Sequence, residues 1–182
     1  YRKSIFKEEW RGRYAVTHVH FRLSSTFRPN LDYGGIREAL SAGGIRPEEV
    51  TAQDLRRVVI AIRKAKLPDP KVQGNAGSFF MNPVVSREVY EAIKGDYPDV
   101  PRYEVDAERV KIPAGWLIER CGWKGRSLGR AAVHDRQALV LVNKGGATGR
   151  DILALCEAIR ADVLSRFGIS ITPEVNIIGG CA

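Results

Sequence analysis

A seven-residue stretch that begins at Gly74 holds the residue types needed to transfer a proton to a bound ligand. Gly74 and Gly77 permit a tight turn and close approach of a ligand to the backbone, and Ser78 carries an exchangeable proton. Phe79 and Phe80 follow the serine and can exclude water behind it. The stretch is a candidate active site, although a cluster of Gly, Asn and Ser before two aromatics is equally typical of a loop entering a buried strand.

The residues before this stretch predict how it is positioned. A capping pattern and apolar residues at helical spacing predict a helix over residues 51–64. Pro68 and Pro70 cannot continue a helix, so the chain must change direction there. We therefore expect a domain boundary directly after Leu67, with Lys66 at the hinge and facing a cleft.

The chain beyond the hinge mixes helical and strand patterns. Over residues 68–168 the sequence predicts a helix after Ser86, a short strand near residues 103–105, a helix over residues 115–121 and a strand over residues 138–142. This mixture indicates a compact α+β domain.

The last helix has the clearest local pattern. Thr148 and Asp151 open it, Gly168 ends it, and residues 169–178 then read as extended. We interpret its apolar stripe as core packing, and the stripe consists of Ile152, Leu155, Cys156, Ile159, Val163 and Phe167.

Residues 13–23 are rich in β-branched and aromatic residues, which predicts a strand with one side formed by Ala15, Thr17, Val19, Phe21 and Leu23. His18 and His20 share the other side of it, and the remaining histidine is His134. No carboxylate cluster accompanies the pair, so the sequence argues against a metal site.

Composition limits the classes of function. The chain has 182 residues, 44% of them hydrophobic and 27% charged, which fits a globular fold with a real core. A net charge of +8 is compatible with a nucleic-acid surface or with a site that collects a small anion. The cations are dispersed and not interleaved with aromatics, which favours the small anion.

The spacing of the cysteines and the length of the apolar runs indicate the cellular compartment. The apolar runs are far shorter than the roughly 20 residues of a membrane helix, and no signal-peptide pattern opens the chain. Cys121, Cys156 and Cys181 do not have zinc or redox spacing. We therefore expect a reducing, cytoplasmic location without membrane association, with Cys156 as a small core residue.

Several segments together resemble one enzyme family, UDP-N-acetylenolpyruvoylglucosamine reductase, in the family's order. The resemblance covers essentially the whole chain but only the latter part of the enzyme, and it rests on residues 1–7, 32–34, 66–83, 112–119, 137–143 and 173–175.

The resemblance implies a domain organisation. The family's flavin-binding domain lies mostly upstream, and this chain begins at Tyr1 with no Gly-rich nucleotide-binding sequence, so we expect a fragment that binds no FAD alone and is inactive. Residues 1–67 would end the FAD-binding second domain, and residues 68–168 would form an α+β substrate-binding C-terminal domain. Residues 169–182 would be a return segment that carries Glu174 toward the flavin domain.

The resemblance also implies roles at the reacting end of the substrate. Ser78 would donate the proton, while Arg2 and Glu174 would polarise the carboxylate and stabilise the enol form. The protonation state of Glu174 stays open, because desolvation would raise its pKa and Arg2 would lower it.

Other positions match the family's substrate contacts. Tyr33 and Lys66 would bind the two phosphates, and Asn82 and Gln137 would make further polar contacts. Tyr33 lies in an Asp-Tyr-Gly loop of the subgroup whose tyrosine closes over the bound nucleotide. Two departures from the pattern, Met81 and Asn176, stand where many relatives have Lys and Arg.

The predicted function is FAD-dependent reduction of UDP-N-acetylglucosamine enolpyruvate to UDP-N-acetylmuramate, with NADPH as donor, in the synthesis of peptidoglycan precursors. The alternatives are a non-catalytic module that binds a UDP-sugar and a basic domain that binds nucleic acid. We expect that any dimer of this chain would be an artefact of truncation, since apolar residues that normally meet the flavin domain would be exposed.

Overall fold

Helices and short antiparallel strands alternate along residues 4–179, the part of the chain that the computed structural model describes. The elements divide into two units, residues 1–58 and residues 59–182. The α-helices are α1 (Ile36–Ala42), α2 (Ala52–Lys66), α3 (Arg87–Asp96), α4 (Ala114–Arg120) and α5 (Gly149–Phe167). The strands are β1 (Asn75–Ser78), β2 (Val84–Ser86), β3 (Tyr103–Glu104), β4 (Arg109–Lys111), β5 (Ser127–Leu128), β6 (Ala131–Val133) and β7 (Val140–Asn143).

The first unit contains α1, two short 3-10 turns and the start of α2. Gly34 and Gly35 enter α1 with φ of +67° and +81°, which glycine adopts without strain. Among its described residues, from 4 to 58, the buried apolar side chains are Leu31, Ile36, Leu40 and Val50.

The strand predicted over residues 13–23 is wrong. These residues form no strand in the described structure, and Phe21 and Leu23 are 78% and 83% exposed. An alternating pattern supplies one apolar face, but a strand also needs a backbone partner and a layer that covers this face. No described residue pairs with the segment.

The main sheet of the second unit has the order β1-β7-β6-β5, with antiparallel pairs throughout. Side chains of β6 and β7 point alternately to its two faces. Ala131, Val133 and Leu141 belong to the main core, which α5 covers. The opposite face carries a smaller buried cluster of Ala132, Val140 and Val142 with Leu67 packed against it. The strand predicted over residues 138–142 is thus confirmed, starting two residues later.

A second antiparallel sheet has the order β2-β4-β3. Helix α3 follows β2 directly, and Ser86 caps it by accepting a hydrogen bond from the Val89 amide at 3.3 Å. The helix predicted after Ser86, the short strand near residue 103 and the helix over residues 115–121 are all confirmed within about two residues.

The core of the second unit lies between the two sheets and α4 and α5. It runs from Phe79 to Ile171 and includes the fully buried Ile112, Leu117 and Leu155. Together with the antiparallel sheets and flanking helices, it confirms the α+β fold class. No helix among the described residues combines the length and the apolar character needed to cross a bilayer.

Helix α5 follows its sequence signals closely. Thr148 and Asp151 form a reciprocal capping box, and Gly168 ends the helix with φ of +65°. Five of the six predicted stripe residues are buried, and Ile152 is partly buried against the core.

Candidate functional site

Ser78 is the last residue of β1 and is exposed, while the two phenylalanines after it are buried. Its cross-strand partner is Val140, which places Ser78 on the face of the sheet where the cluster around Leu67 lies. Gly77 precedes it with φ of +72°, a left-handed conformation that side chains disfavour. The predicted loop is therefore a short irregular strand. It exposes the Ser78 hydroxyl directly before the buried Phe79 and Phe80.

The segment that carries Glu174 pairs with the residues directly after this serine. The Glu174 amide donates to the Phe79 carbonyl at 2.8 Å, and the Met81 amide donates to the Thr172 carbonyl at 2.9 Å. Phe80 and Pro173 form an antiparallel bridge between the same two segments. Glu174, which is partly buried, thus lies opposite the residue that follows Ser78.

Asn82 links the serine motif to helix α4. Its Oδ1 accepts a hydrogen bond from the Ala114 amide at 3.0 Å. The helix cap residue itself, Pro113, makes no side-chain capping bond, so Asn82 satisfies an amide that the helix leaves unpaired. Asn82 therefore has a structural contact besides the substrate contact that the sequence predicts.

Gln137 lies in a turn that is also joined to the serine motif. Its Oε1 accepts from the Leu139 amide at 3.2 Å, and its carbonyl accepts from the Val140 amide at 3.0 Å. The Leu139 carbonyl in turn accepts from the Phe79 amide at 2.7 Å. One backbone residue, Phe79, therefore connects the Gln137 turn with the Glu174 segment.

Gly115 allows helix α4 to approach this turn. A Cβ added at Gly115 would lie 3.3 Å from Leu139 Cγ and 3.6 Å from Gln137 Oε1. The first distance is tighter than ordinary packing, so the Leu139 side chain would have to shift by a few tenths of an ångström, whereas the second is an ordinary contact. The glycine thus lets the helix pack closely against the Gln137 turn.

The structure brings together four of the seven predicted site residues: Ser78, Asn82, Gln137 and Glu174. Lys66 is exposed at the last position of α2. Tyr33 belongs to the first unit, where it is 79% exposed in the turn before α1. Arg2 lies outside the described residues.

An open cleft of about 660 Å³ lies between the end of α2 and the turn after β6. Arg63 and Lys64 line one side, and His134 and Arg136 line the other. Arg136 donates from Nη1 to the Ala65 carbonyl at 2.7 Å, which ties the two sides together. The three cations Arg63, Lys64 and Arg136 outnumber the one carboxylate of the lining, Asp69, and make the cleft suitable for an anion.

His134 and Arg136 were not predicted as site residues. His134 is the buried polar side chain of the described core, and its Nδ1 accepts a hydrogen bond from the Arg136 amide at 3.2 Å. The sequence signal for them was their position beside Gln137, directly after a buried strand.

Metal and thiol chemistry receive no support from the described residues. They hold no group of three or more His, Cys, Asp or Glu side chains that could bind a metal ion. Burial raises the pKa of the Cys156 thiol to about 11, and it also raises that of Cys121. Both thiols are therefore kept protonated near neutral pH, while Cys181 lies outside the described residues.

The fold and the site define an α+β domain that presents a serine, a glutamate and two amide side chains around a buried pair of phenylalanines. Residues 69–178 match the family model of the UDP-N-acetylenolpyruvoylglucosamine reductase C-terminal domain. The chain belongs to the UDP-N-acetylenolpyruvoylglucosamine reductase family.

Relatives that carry the family's name extend the similarity over nearly the whole chain. The reductase of Bacteroides fragilis is 58% identical over 178 residues, which are 98% of this chain and 52% of the relative. That of Burkholderia cenocepacia is 56% identical over 174 residues, which are 96% of this chain and 50% of the relative. The chain thus spans about half the length of the curated relatives it matches.

Proposed function

We propose that this chain is the substrate-binding part of an enzyme that reduces UDP-N-acetylglucosamine enolpyruvate to UDP-N-acetylmuramate, with FAD as cofactor and NADPH as donor. The observation that carries the proposal is the hydrogen bond from Glu174 to Phe79, which brings the two predicted catalytic segments together. The name shared by relatives 55–58% identical to the chain supports the same reaction.

Ser78 acts as the general acid in this proposal. When bound, FAD supplies the hydride that reduces the carbon beta to the substrate carboxylate. Ser78 then gives its proton to the alpha carbon. Its exposure on an open sheet face gives a substrate direct access to the hydroxyl, and the buried Phe79 and Phe80 keep water from approaching through the core.

Glu174 and Arg2 assist the proton transfer. Negative charge develops on the substrate carboxylate before the alpha carbon is protonated, and preorganised polar groups lower the cost of this charge. Glu174 stabilises the enol form from the segment opposite Phe79. Arg2 balances the carboxylate charge, a role that rests on the family pattern.

The remaining polar residues bind the nucleotide sugar. Lys66 and Tyr33 contact the diphosphate, and Asn82 and Gln137 orient the substrate. The cleft lined by Arg63, Lys64 and Arg136 supports an anionic substrate, because fixed positive charge raises the local concentration of anions.

The domain organisation belongs to the same proposal. Residues 1–67 complete a FAD-binding domain, residues 68–168 bind the substrate, and residues 169–182 return toward the flavin. The chain spans about half the length of its relatives, and we expect the 182-residue chain alone neither to bind FAD nor to turn over substrate. The predicted cytoplasmic location continues to rest on the cysteine pattern.

The test is substrate-dependent oxidation of NADPH by the full-length protein, with the reduced product identified by mass. The proposal requires turnover with UDP-N-acetylglucosamine enolpyruvate and none with UDP-N-acetylglucosamine, which lacks the enol ether. Binding of the UDP-sugar without turnover would favour the non-catalytic module. Affinity for DNA or RNA that falls steeply with salt would favour the nucleic-acid reading.

A further inference from the structure

We propose that Arg160 is a positioning residue that holds Glu174 in place beside Ser78. This inference rests on the proposed function for the role of Glu174, but its structural part can be measured independently. Arg160 lies on α5, the helix that directly precedes the segment with Glu174, and acts on Glu174 through the backbone of that segment.

The guanidinium of Arg160 is held at two points. Its Nε donates to the Ile171 carbonyl at 3.0 Å. Its Nη1 donates to both carboxylate oxygens of Glu157, at 2.8 and 2.9 Å. The side chain is 36% exposed, so it lies at the edge of the core and not freely in solvent.

Ile171 anchors the segment that carries Glu174. Its side chain is fully buried, and that of Ile169 is 3% exposed. The next contacts along the segment are those of Thr172 and Glu174 with the serine motif. Arg160 of helix α5 therefore holds the segment at Ile171, and the residues after Ser78 hold it at Thr172 and Glu174.

Removal of the Arg160 guanidinium would leave the Ile171 carbonyl without its charged donor. A carbonyl at the edge of the core that loses its partner is relieved when the chain shifts toward water. Glu174 is three residues further on, so such a shift changes the geometry between its carboxyl group and a substrate bound at Ser78. A displacement of about 1 Å can cost on the order of 100-fold in rate.

The chain offers two matched controls. Glu157→Gln removes the ion pair of Arg160 but leaves its bond to Ile171. Arg166→Gln removes another α5 guanidinium that binds a backbone carbonyl, that of Arg120, and also the Tyr97 hydroxyl at 2.9 Å. Neither of these contacts lies on the return segment.

The experiment compares Arg160→Gln and Arg160→Lys with the two controls in the full-length protein. We expect Arg160→Gln to lower kcat by roughly 10- to 100-fold while KM stays within about twofold, because binding of the nucleotide does not depend on Glu174. Arg160→Lys should restore part of kcat, since an ammonium group can still donate to the carbonyl. Both controls should keep kcat near that of the wild type.

Hydrogen exchange gives a readout that does not depend on activity. Arg160→Gln should speed exchange of the Met81 and Glu174 amides, and Arg166→Gln should not. The inference is overturned if exchange and kcat are equal in the Arg160→Gln and Arg166→Gln variants, or if Glu157→Gln reproduces the loss. If the wild type is inactive but Arg160→Gln still exchanges faster than Arg166→Gln, only the proposed function is refuted and the structural role of Arg160 stands. If Arg160→Gln does not fold, exchange in an Arg160→Met variant decides, because methionine keeps the aliphatic stem without a donor, and unchanged exchange there contradicts the inference.

Discussion

Single residues of the candidate site hold the fold together and, in the proposed function, one of them also contacts the ligand. Phe79 connects two segments through its amide and carbonyl, and Asn82 satisfies the first amide of α4 with its side-chain oxygen. The same Asn82 is proposed to contact the substrate. Because one amide group carries both contacts, substitutions that keep the acceptor oxygen can separate the two roles.

Asn82→Asp should keep the helix contact and weaken substrate binding. The carboxylate still accepts from the Ala114 amide, so the free energy of unfolding should change by less than about 0.5 kcal/mol. The added negative charge should raise KM, because the proposed substrate is itself an anion. Asn82→Ala is the control, with an expected loss of about 1 kcal/mol in denaturant unfolding. Equal destabilisation by both substitutions would contradict this assignment.

The elements that position the site end at strong local signals. Helix α2 ends before Pro68, and α5 begins at a capping box and ends at Gly168. In α5 the Asp151 carboxylate accepts from the Thr148 amide and hydroxyl, at 2.7 and 2.8 Å. These hydrogen bonds hold the pKa of Asp151 below its usual range. Arg160 lies on the same helix, so in our proposal the cap that stabilises the start of α5 also helps to keep Arg160 in position.

Thr148→Ala should lower the free energy of unfolding by about 1 kcal/mol at pH 7. Because the pKa of Asp151 is lower in the folded state, its stabilising contribution is present above the unfolded pKa of about 3.9. That contribution is lost as the pH falls through the lower, folded value. Urea unfolding at pH 7 and pH 3 should therefore show a smaller penalty at pH 3. Thr148→Ser keeps the hydroxyl and should resemble the wild type. An equal loss of unfolding free energy by Thr148→Ala at both pH values would contradict a stabilising contribution from the hydrogen bonds between Thr148 and Asp151.

At the scale of the molecule, the main core and the described site residues other than Tyr33 lie in the second unit. The buried residues of the main core run from Phe79 to Ile171, and two tryptophans, Trp116 and Trp123, report on it. The first unit contributes its own small set of buried residues and the exposed Tyr33. The second unit therefore has the apolar contacts needed to fold without the first.

A chain shortened to residues 51–182 should unfold cooperatively, with a Tm within a few degrees of that of the 182-residue chain. It keeps the Thr51 and Asp54 hydrogen bonds that cap α2. Tryptophan fluorescence and far-UV circular dichroism during thermal unfolding check this. Transitions that do not coincide, or loss of the fluorescence change, would show that the core needs the first unit.

The sequence predicted the long elements with strong end signals and missed those that depend on distant partners. Helices α2 and α5 carry caps, stripes and terminal glycine or proline, so their limits follow from local chemistry. Strands β2 and β4 have three residues each and exist through pairing with each other. Residues 13–23 have a strand pattern without a described partner.

The candidate site was predictable only in part, for the same reason. Ser78 stands in a recognisable motif, and Glu174 was found through family resemblance. Arg160 was not predicted, because on a helix its spacing from Glu157 is that of an ordinary surface ion pair. Its contact with Ile171 arises from the tertiary fold, and so does the contact of Arg136 with Ala65.

The most direct test of the central claim is single-turnover oxidation of reduced flavin by UDP-N-acetylglucosamine enolpyruvate in the full-length protein, with wild type and Ser78→Ala compared. If Ser78 is the acid, the variant takes up hydride but stalls before the protonated product appears. Formation of product at the wild-type rate would contradict the assignment and leave the serine motif with a structural role.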